Sequence, residues 1–205
     1  MSDTGVYRQT KGDAAALWLF LVTGAVIIGW AVVHAVVRIV QILPNRDITI
    51  MANFTETTAR AAIGPHGTTY PVVLESAAVT VEQLPWASLG ALVMQEAVGA
   101  LAIAVAVGCL LWLTASVLRG TIFSRRNTVL VTLAGLAAVG GWALWRFFGI
   151  MVTNGALAVV SDRTFDGSPP QSSPLPFVIG AFATAIVAAA FAVGERMRRD
   201  TAGLV

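Results

Sequence analysis

The sequence predicts an all-α integral membrane protein: a bundle of four transmembrane helices with a small, β-containing extracytoplasmic insert between helices 1 and 2. Three observations carry that prediction. Of the 205 residues, 57% are hydrophobic and 12% charged, about half the ~25% charge of a soluble domain. Mean hydropathy is +0.78. The charges fall in clusters separated by uncharged runs, several of them near the ~20 residues a helix needs to cross a ~30 Å hydrocarbon core. A soluble enzyme, a disordered tail or a nucleic-acid-binding domain is thereby excluded as the whole chain.

The elements follow in order. Residues 1–13 form an N-terminal segment and 14–43 the first helix, uncharged over 14–33 and continuing past His34 and Arg38 to a stop at Pro44-Asn45. Its apolar run exceeds the ~7–15 residues of a signal-peptide core, so it reads as an uncleaved anchor. In the insert, 44–86, the stretch from Asp47 to Phe54 nearly alternates polar and apolar, as a half-buried strand does. Gly64-Pro65-His66-Gly67 reads as a turn, and 72–74 and 77–81 as a second strand, or a second and a third. About 43 residues bury little core alone, so this lid should pack on the outer helix ends or on a partner.

The second helix, 87–119, is uncharged over 97–118, with Gln95 and Glu96 before that run and Arg119-Gly120 after it. In the connection 120–127, Gly120 suits the position after a helix end and Ser124 suits an N-cap. Arg119 complements the dipole of the second helix. Arg125 and Arg126 oppose that of the third, a cost that anionic lipid headgroups offset. The third helix, 128–152, is interrupted by Arg146. The connection 153–176 is rich in Ser, Pro, Gly and Asp and reads as mostly irregular. The fourth helix, 177–194, is entered through Pro174 and Pro176 and closed by Glu195, Arg196, Arg198 and Arg199, which begin the tail 195–205.

Basic residues orient the spans. Arg8, Lys11, Arg119, Arg125, Arg126, Arg196, Arg198 and Arg199 fall on one side; Arg46, Arg60 and Arg163 fall on the other. The positive-inside bias then places both termini and the 120–127 turn in the cytoplasm of a multi-pass protein, and 44–86 and 153–176 outside. Trp30, Trp86, Trp142 and Trp145 fall at the outer boundary and Trp18 near the inner one.

One candidate site emerges. His34, Arg38 and Gln41 share a helix face by their spacing. Counting 1.5 Å per residue brings Glu96 and Arg146 near the outer boundary, with Arg38 slightly beyond it. Intramembrane charges are costly and pair or line cavities. His34, Arg38, Glu96 and Arg146 are therefore a candidate polar layer, with Glu96 in a buried salt bridge to Arg38 or Arg146 at the floor of an outward-facing pocket. The competing reading has the arginines snorkelling to headgroups while Glu96 faces water. Arg119, Phe123, Arg125 and Arg126 are a candidate contact for a cytoplasmic partner or for lipid.

Other chemistry is sparse. Ala100, Ala104 and Gly108, and Gly180, Thr184 and Ala188, form small-residue ridges suited to close helix packing. The lone cysteine, Cys109, reads as a packing residue. No zinc spacing, calcium loop, phosphate loop, metalloprotease or serine-hydrolase motif is present, so no catalytic residue, metal or cofactor is expected.

The stretch Gly120-Thr121-Ile122-Phe123-Ser124-Arg125-Arg126-Asn127, set between two apolar helices, resembles the G-x-P-F-[ST]-x-x-N turn of a bacterial family of small four-span membrane proteins, a domain of unknown function. Ile122 stands where that family has proline, and the basic residues that follow its Asn are missing. The resemblance implies four spans, a long first extracytoplasmic connection and a regulatory partner, since such proteins are often encoded beside a small helix-turn-helix regulator. It brings no catalytic residues.

The functional expectation is a non-enzymatic accessory or signalling protein of the bacterial plasma membrane. Its partners would be the lipid bilayer and a cytosolic regulator or other membrane subunits, without direct nucleic-acid binding. The alternatives are a small transporter or channel component using the Arg/Glu layer, and a subunit of a larger membrane enzyme complex.

Overall fold

A computed structural model describes residues 11–119, 123–162 and 175–202. The order is α1 (Lys11–Ile42), β1 (Ile48–Ala61), a 3-10 turn (Pro65–Gly67), β2 (Tyr70–Val81), α2 (Trp86–Leu118), α3 (Arg125–Val160) and α4 (Leu175–Ala202). The chain is mostly helical, and each helix holds a stretch long and apolar enough to cross a membrane: Trp18–Ile42, Trp86–Val117, Arg125–Val160 and Leu175–Met197. Gly120, Thr121 and Ile122, together with Arg8 and Arg163, lie outside the described residues.

Two boundaries depart from the sequence reading. α3 does not end at residue 152; 153–160 is helical and not irregular. Gly155, part of the Gly content that made this stretch read as irregular, marks close packing instead. A Cβ on Gly155 would lie 1.7 Å from Ser88 Oγ, so only glycine lets α2 approach there. Val152, Thr153, Ala156 and Leu157 form the buried face of this helical end. α4 likewise runs beyond residue 194 to Ala202, because its terminal charges lie on polar helix that no glycine or proline interrupts.

The insert holds one antiparallel pair rather than three strands. Ile48 pairs with Val81, Ile50 with Val79 and Ala52 with Ala77, which sets their side chains on one face. Thr49 and Thr80 pair on the other face with hydroxyls 3.0 Å apart. Between Asn53 and Thr57 the register slips, with three residues of β1 spanning a single residue of β2. The half-covered residues of β2 change from Ala77 and Val79 to Val72 and Leu74 across that slip. One bulged strand therefore looks like two short strands in sequence. At the turn, His66 (φ 59°) and Gly67 (φ 80°) occupy the left-handed region, and Gly64 N–H donates to Thr68 O at 3.0 Å.

The chain divides into two compact units: residues 1–33, 100–141 and 175–205 form the first, and 34–99 and 142–174 the second. In the first, consecutive helices meet where a small residue admits a larger one. Gly24 of α1 faces Leu111 of α2, Ala102 of α2 faces Gly141 of α3, and Gly135 of α3 faces Thr184 of α4. Thr184 and Gly180 thus use their small-residue ridge against α3, whereas Gly108 faces open space. Apolar side chains such as Leu19, Val26, Phe182 and Ile186 are exposed, a surface suited to acyl chains rather than water.

The second unit has a true core. Ile42, Ile48, Ile50, Val81, Leu84, Leu89, Ala91, Leu92, Val152 and Ala156 form one cluster, with Val79, Val93 and Phe148 packed against it. The hairpin supplies one layer and the ends of α1, α2 and α3 the other. Asn45 ties the strand entry to the exit: its Nδ2 donates to Leu84 O at 3.0 Å, and Leu84 N–H donates to its Oδ1 at 2.9 Å. Asn45 also adopts φ 50°, a conformation Asn tolerates better than most residues.

Two stability predictions follow from this packing. Asn45→Ala loses both hydrogen bonds and gains backbone strain, for an expected cost of about 2–3 kcal/mol; Asn45→Gly, which relieves the strain, costs less in a thermal or denaturant melt of the purified protein. Gly135→Ala sets a Cβ 1.9 Å from Thr184 Cγ2 and is expected to cost about 1–3 kcal/mol. Adding Thr184→Ala recovers part of that loss, and equal melting of the single and double variants would refute the contact.

Candidate functional site

The second unit brings three of the four candidate polar residues together. Arg38 shares a face of α1 with buried Ala31, Ala35 and Ile42. Glu96 continues the α2 face of buried Ser88 and Leu92, and Arg146 the α3 face of buried Thr153 and Leu157. Each charge therefore lies at the end of an inward-facing stripe. They line one cleft of ≈ 370 Å³ together with Thr49, Ile50, Met51 and Asn53 of β1, Leu92 and Gln95 of α2, and Trp145, Gly149, Val152 and Thr153 of α3. His34 is exposed and does not line it.

Arg38 Nε lies 3.9 Å from Glu96 Oε1, with the two side chains 40% and 19% exposed. This is a loose, water-reached ion pair, not the buried salt bridge the sequence suggested. Its expected worth is below about 1 kcal/mol. The Arg146 guanidinium is 5.6 Å from the centroid of the Trp142 ring, one turn earlier on α3, within cation–π range. Gln95 and Thr153 escaped sequence reading, Gln95 because it was taken only as a flank to Glu96. Gly149 is the structural clue to Gln95: a Cβ there would lie 2.9 Å from Gln95 Nε2, so the absent side chain leaves room for that amide.

In the first unit, Phe123, Arg125 and Arg126 gather around the start of α3. Ser124 caps this helix, accepting from Asn127 N–H at 3.3 Å. Arg126 stacks over Trp112 of α2 at 4.4 Å to the ring centroid. Phe123 meets Phe191 of α4 at 5.7 Å between centroids and lies where a Cβ on Gly194 would fall. Arg125 lines a groove of ≈ 270 Å³ with Ala192, Glu195 and Arg196. Arg119 is exposed. Trp112 carries no sequence motif; its only signal is that it falls within two turns of the same helix end as Arg119.

Comparison with known proteins finds no matching family model, no matching curated protein and no matching solved structure.

The loose geometry of the ion pair gives a direct test. Glu96→Gln should shift unfolding free energy by less than about 1 kcal/mol; a loss of 3 kcal/mol or more in a thermal melt in detergent would show a tightly coupled buried network instead.

Proposed function

We propose that this chain is a non-enzymatic, multi-pass protein of the bacterial plasma membrane, an accessory or signalling subunit. It receives a small ligand in the cleft of its hairpin-bearing unit and contacts a partner through the arginine-bearing start of α3. Both termini lie in the cytoplasm and the hairpin lies outside, in keeping with the distribution of Lys and Arg. The observation that carries the reading is the composition of the cleft: one charged residue comes from each of α1, α2 and α3, and the remaining lining is shared among β1, α2 and α3. A ligand held there engages three of the four apolar helices at once, which suits a sensor more than a bond-making site. The resemblance of 120–127 to the turn of four-span proteins encoded beside regulators supports a cytosolic partner.

A second reading, a small transporter or channel component, draws on the same Arg38, Glu96 and Arg146 cluster. Solute flux in liposomes that vanishes with Glu96→Gln would favour it.

The proposed orientation and partnership can be read together. Glu75→Cys on exposed β2 should react with a membrane-impermeant maleimide in intact cells, whereas Arg125→Cys should react only after permeabilisation; Cys109, 8% exposed, contributes little background. Mild crosslinking in cells should capture a soluble partner, lost with Arg125→Glu. The opposite labelling pattern overturns the orientation, and the absence of any crosslinked partner overturns the accessory role.

A further inference from the structure

We infer that the cleft of the second unit receives a zwitterion, a small ligand whose oxyanion lies on Arg38, whose ammonium lies on Glu96, and whose polar groups meet Thr153 and Gln95. This rests on reading the cleft as a ligand site and adds the class of ligand. Unmet hydrogen-bonding capacity, not net charge, makes the selection. Thr153 of α3 is 6% exposed and lines the cleft, yet its hydroxyl has no hydrogen-bond partner among the described residues. The hydroxyls of Thr114, Thr132 and Thr184, by contrast, each donate to the carbonyl four residues back in their helices. The Gln95 amide, for which Gly149 leaves room, is likewise uncommitted among the described residues. A hydroxyl this deep is ordinarily satisfied, so these two groups mark the wall on which a polar ligand gains most.

Arg38 and Glu96 set the ligand's charges. Their contact, Nε to Oε1 at 3.9 Å, leaves most of the guanidinium donors and most of the carboxylate's acceptor sites open. A simple carboxylate on Arg38 would stand close to Glu96, and a simple amine on Glu96 would stand close to Arg38. Each would meet a repulsion comparable to its attraction. An ammonium and an oxyanion a few atoms apart give every charge an opposite partner, with charge-assisted hydrogen bonds at both ends. Arg146 already has partners of its own, the Trp142 ring among them, and takes no part in this recognition. Leu92 and Val152 line the same cleft and belong to the core cluster, so an aliphatic group on the ligand extends that core. A volume of ≈ 370 Å³ lies near the small end of ligand pockets, about 300–1,000 Å³. It fits one amino acid, or the phosphoethanolamine headgroup of a lipid, but not a whole phospholipid. Both sources present the same chemistry.

The test is equilibrium dialysis of the full chain in dodecyl maltoside, an uncharged detergent, at neutral pH. The radiolabelled probes are L-leucine and two relatives, leucinamide, which keeps only the ammonium, and N-acetyl-leucine, which keeps only the carboxylate. Leucine is expected to bind saturably and each relative at least about tenfold more weakly, because each loses a charge-assisted contact and gains a repulsion. Thr153→Val, close in shape, should weaken leucine about three- to tenfold. Glu96→Gln should weaken leucine about tenfold yet tighten N-acetyl-leucine, a gain that a misfolded variant would not show. Radiolabelled glycerophosphoethanolamine, titrated in the same way, separates the sources: binding tighter than that of leucine identifies the lipid headgroup, and weaker binding a free amino acid. If leucinamide or N-acetyl-leucine binds as tightly as leucine, with the same dependence on Thr153, the zwitterion assignment is overturned while the ligand cleft stands. If none of the four compounds binds saturably, or if binding ignores both Thr153→Val and Glu96→Gln, the cleft is not a ligand site and both readings fall.

Discussion

A two-stranded hairpin has one face to bury and no second layer of its own, and that constraint organises the second unit. Ile48, Ile50 and Val81 need an apolar surface to cover them. Leu89 and Leu92 of α2 and Val152 and Ala156 of α3 provide it. The helices can do so because α2 and α3 have 33 and 36 residues, well beyond the ~20 that a bilayer core requires. Their surplus turns is what the hairpin packs on. Asn45 closes the arrangement by holding the backbone of Leu84 on both its N–H and C=O sides, so the two ends of the hairpin stay adjacent. Without that clamp, two loops would each have to be ordered separately, at a cost of about 1–2 kcal/mol per fixed residue.

The same stripes that build this core place the charges. Helical periodicity brings Arg38, Glu96 and Arg146 in line with buried residues of their own helices. A closely paired, dry arrangement would resist separation by a ligand. The observed 3.9 Å contact, with Arg38 40% exposed, leaves guanidinium donors for another acceptor. The pairing is therefore weak: a single contact at 3.9 Å leaves most of the five Arg38 donors unmet by Glu96.

The four long apolar helices were legible because length and hydropathy suffice to recognise them, and the strand 47–54 because its alternation follows the pleat. The misreadings have specific causes. The stretch from residue 153 was judged by the Ser, Pro, Gly and Asp content of 153–176, but Gly155 is required by contact with Ser88, a partner 67 positions away in the numbering that no local pattern reveals. Whether β2 was one strand or two stayed open in the sequence because a register slip inverts which residues are covered. Arg38, Glu96 and Arg146 could be grouped by depth alone, since charges in apolar helices are few. Gln95 could not, because an amide next to a carboxylate at a helix start is unremarkable until Gly149 is seen to make room for it. His34 was grouped by its spacing to Arg38, yet spacing on one helix does not say which neighbours a cleft includes.

Electrostatics also distinguish the arginines at the start of α3. Arg126 covers the Trp112 ring, so part of its charge is met by the indole face and its removal also disturbs packing. Arg125 shares its groove with a second cation, Arg196, and with Glu195, whose Oε2 already accepts from Thr128 Oγ1 at 3.5 Å. Both Arg125 and Arg126 sit where the α3 dipole is positive. Two like charges beside a positive helix end repel unless an anion intervenes, and the groove between Arg125 and Arg196 is where one would be stabilised most. A partner that supplies acidic groups there gains from the α3 dipole as well as from the arginines. That asymmetry makes Arg125, rather than the stacked Arg126, the residue whose charge can be changed at this end with less disturbance to packing.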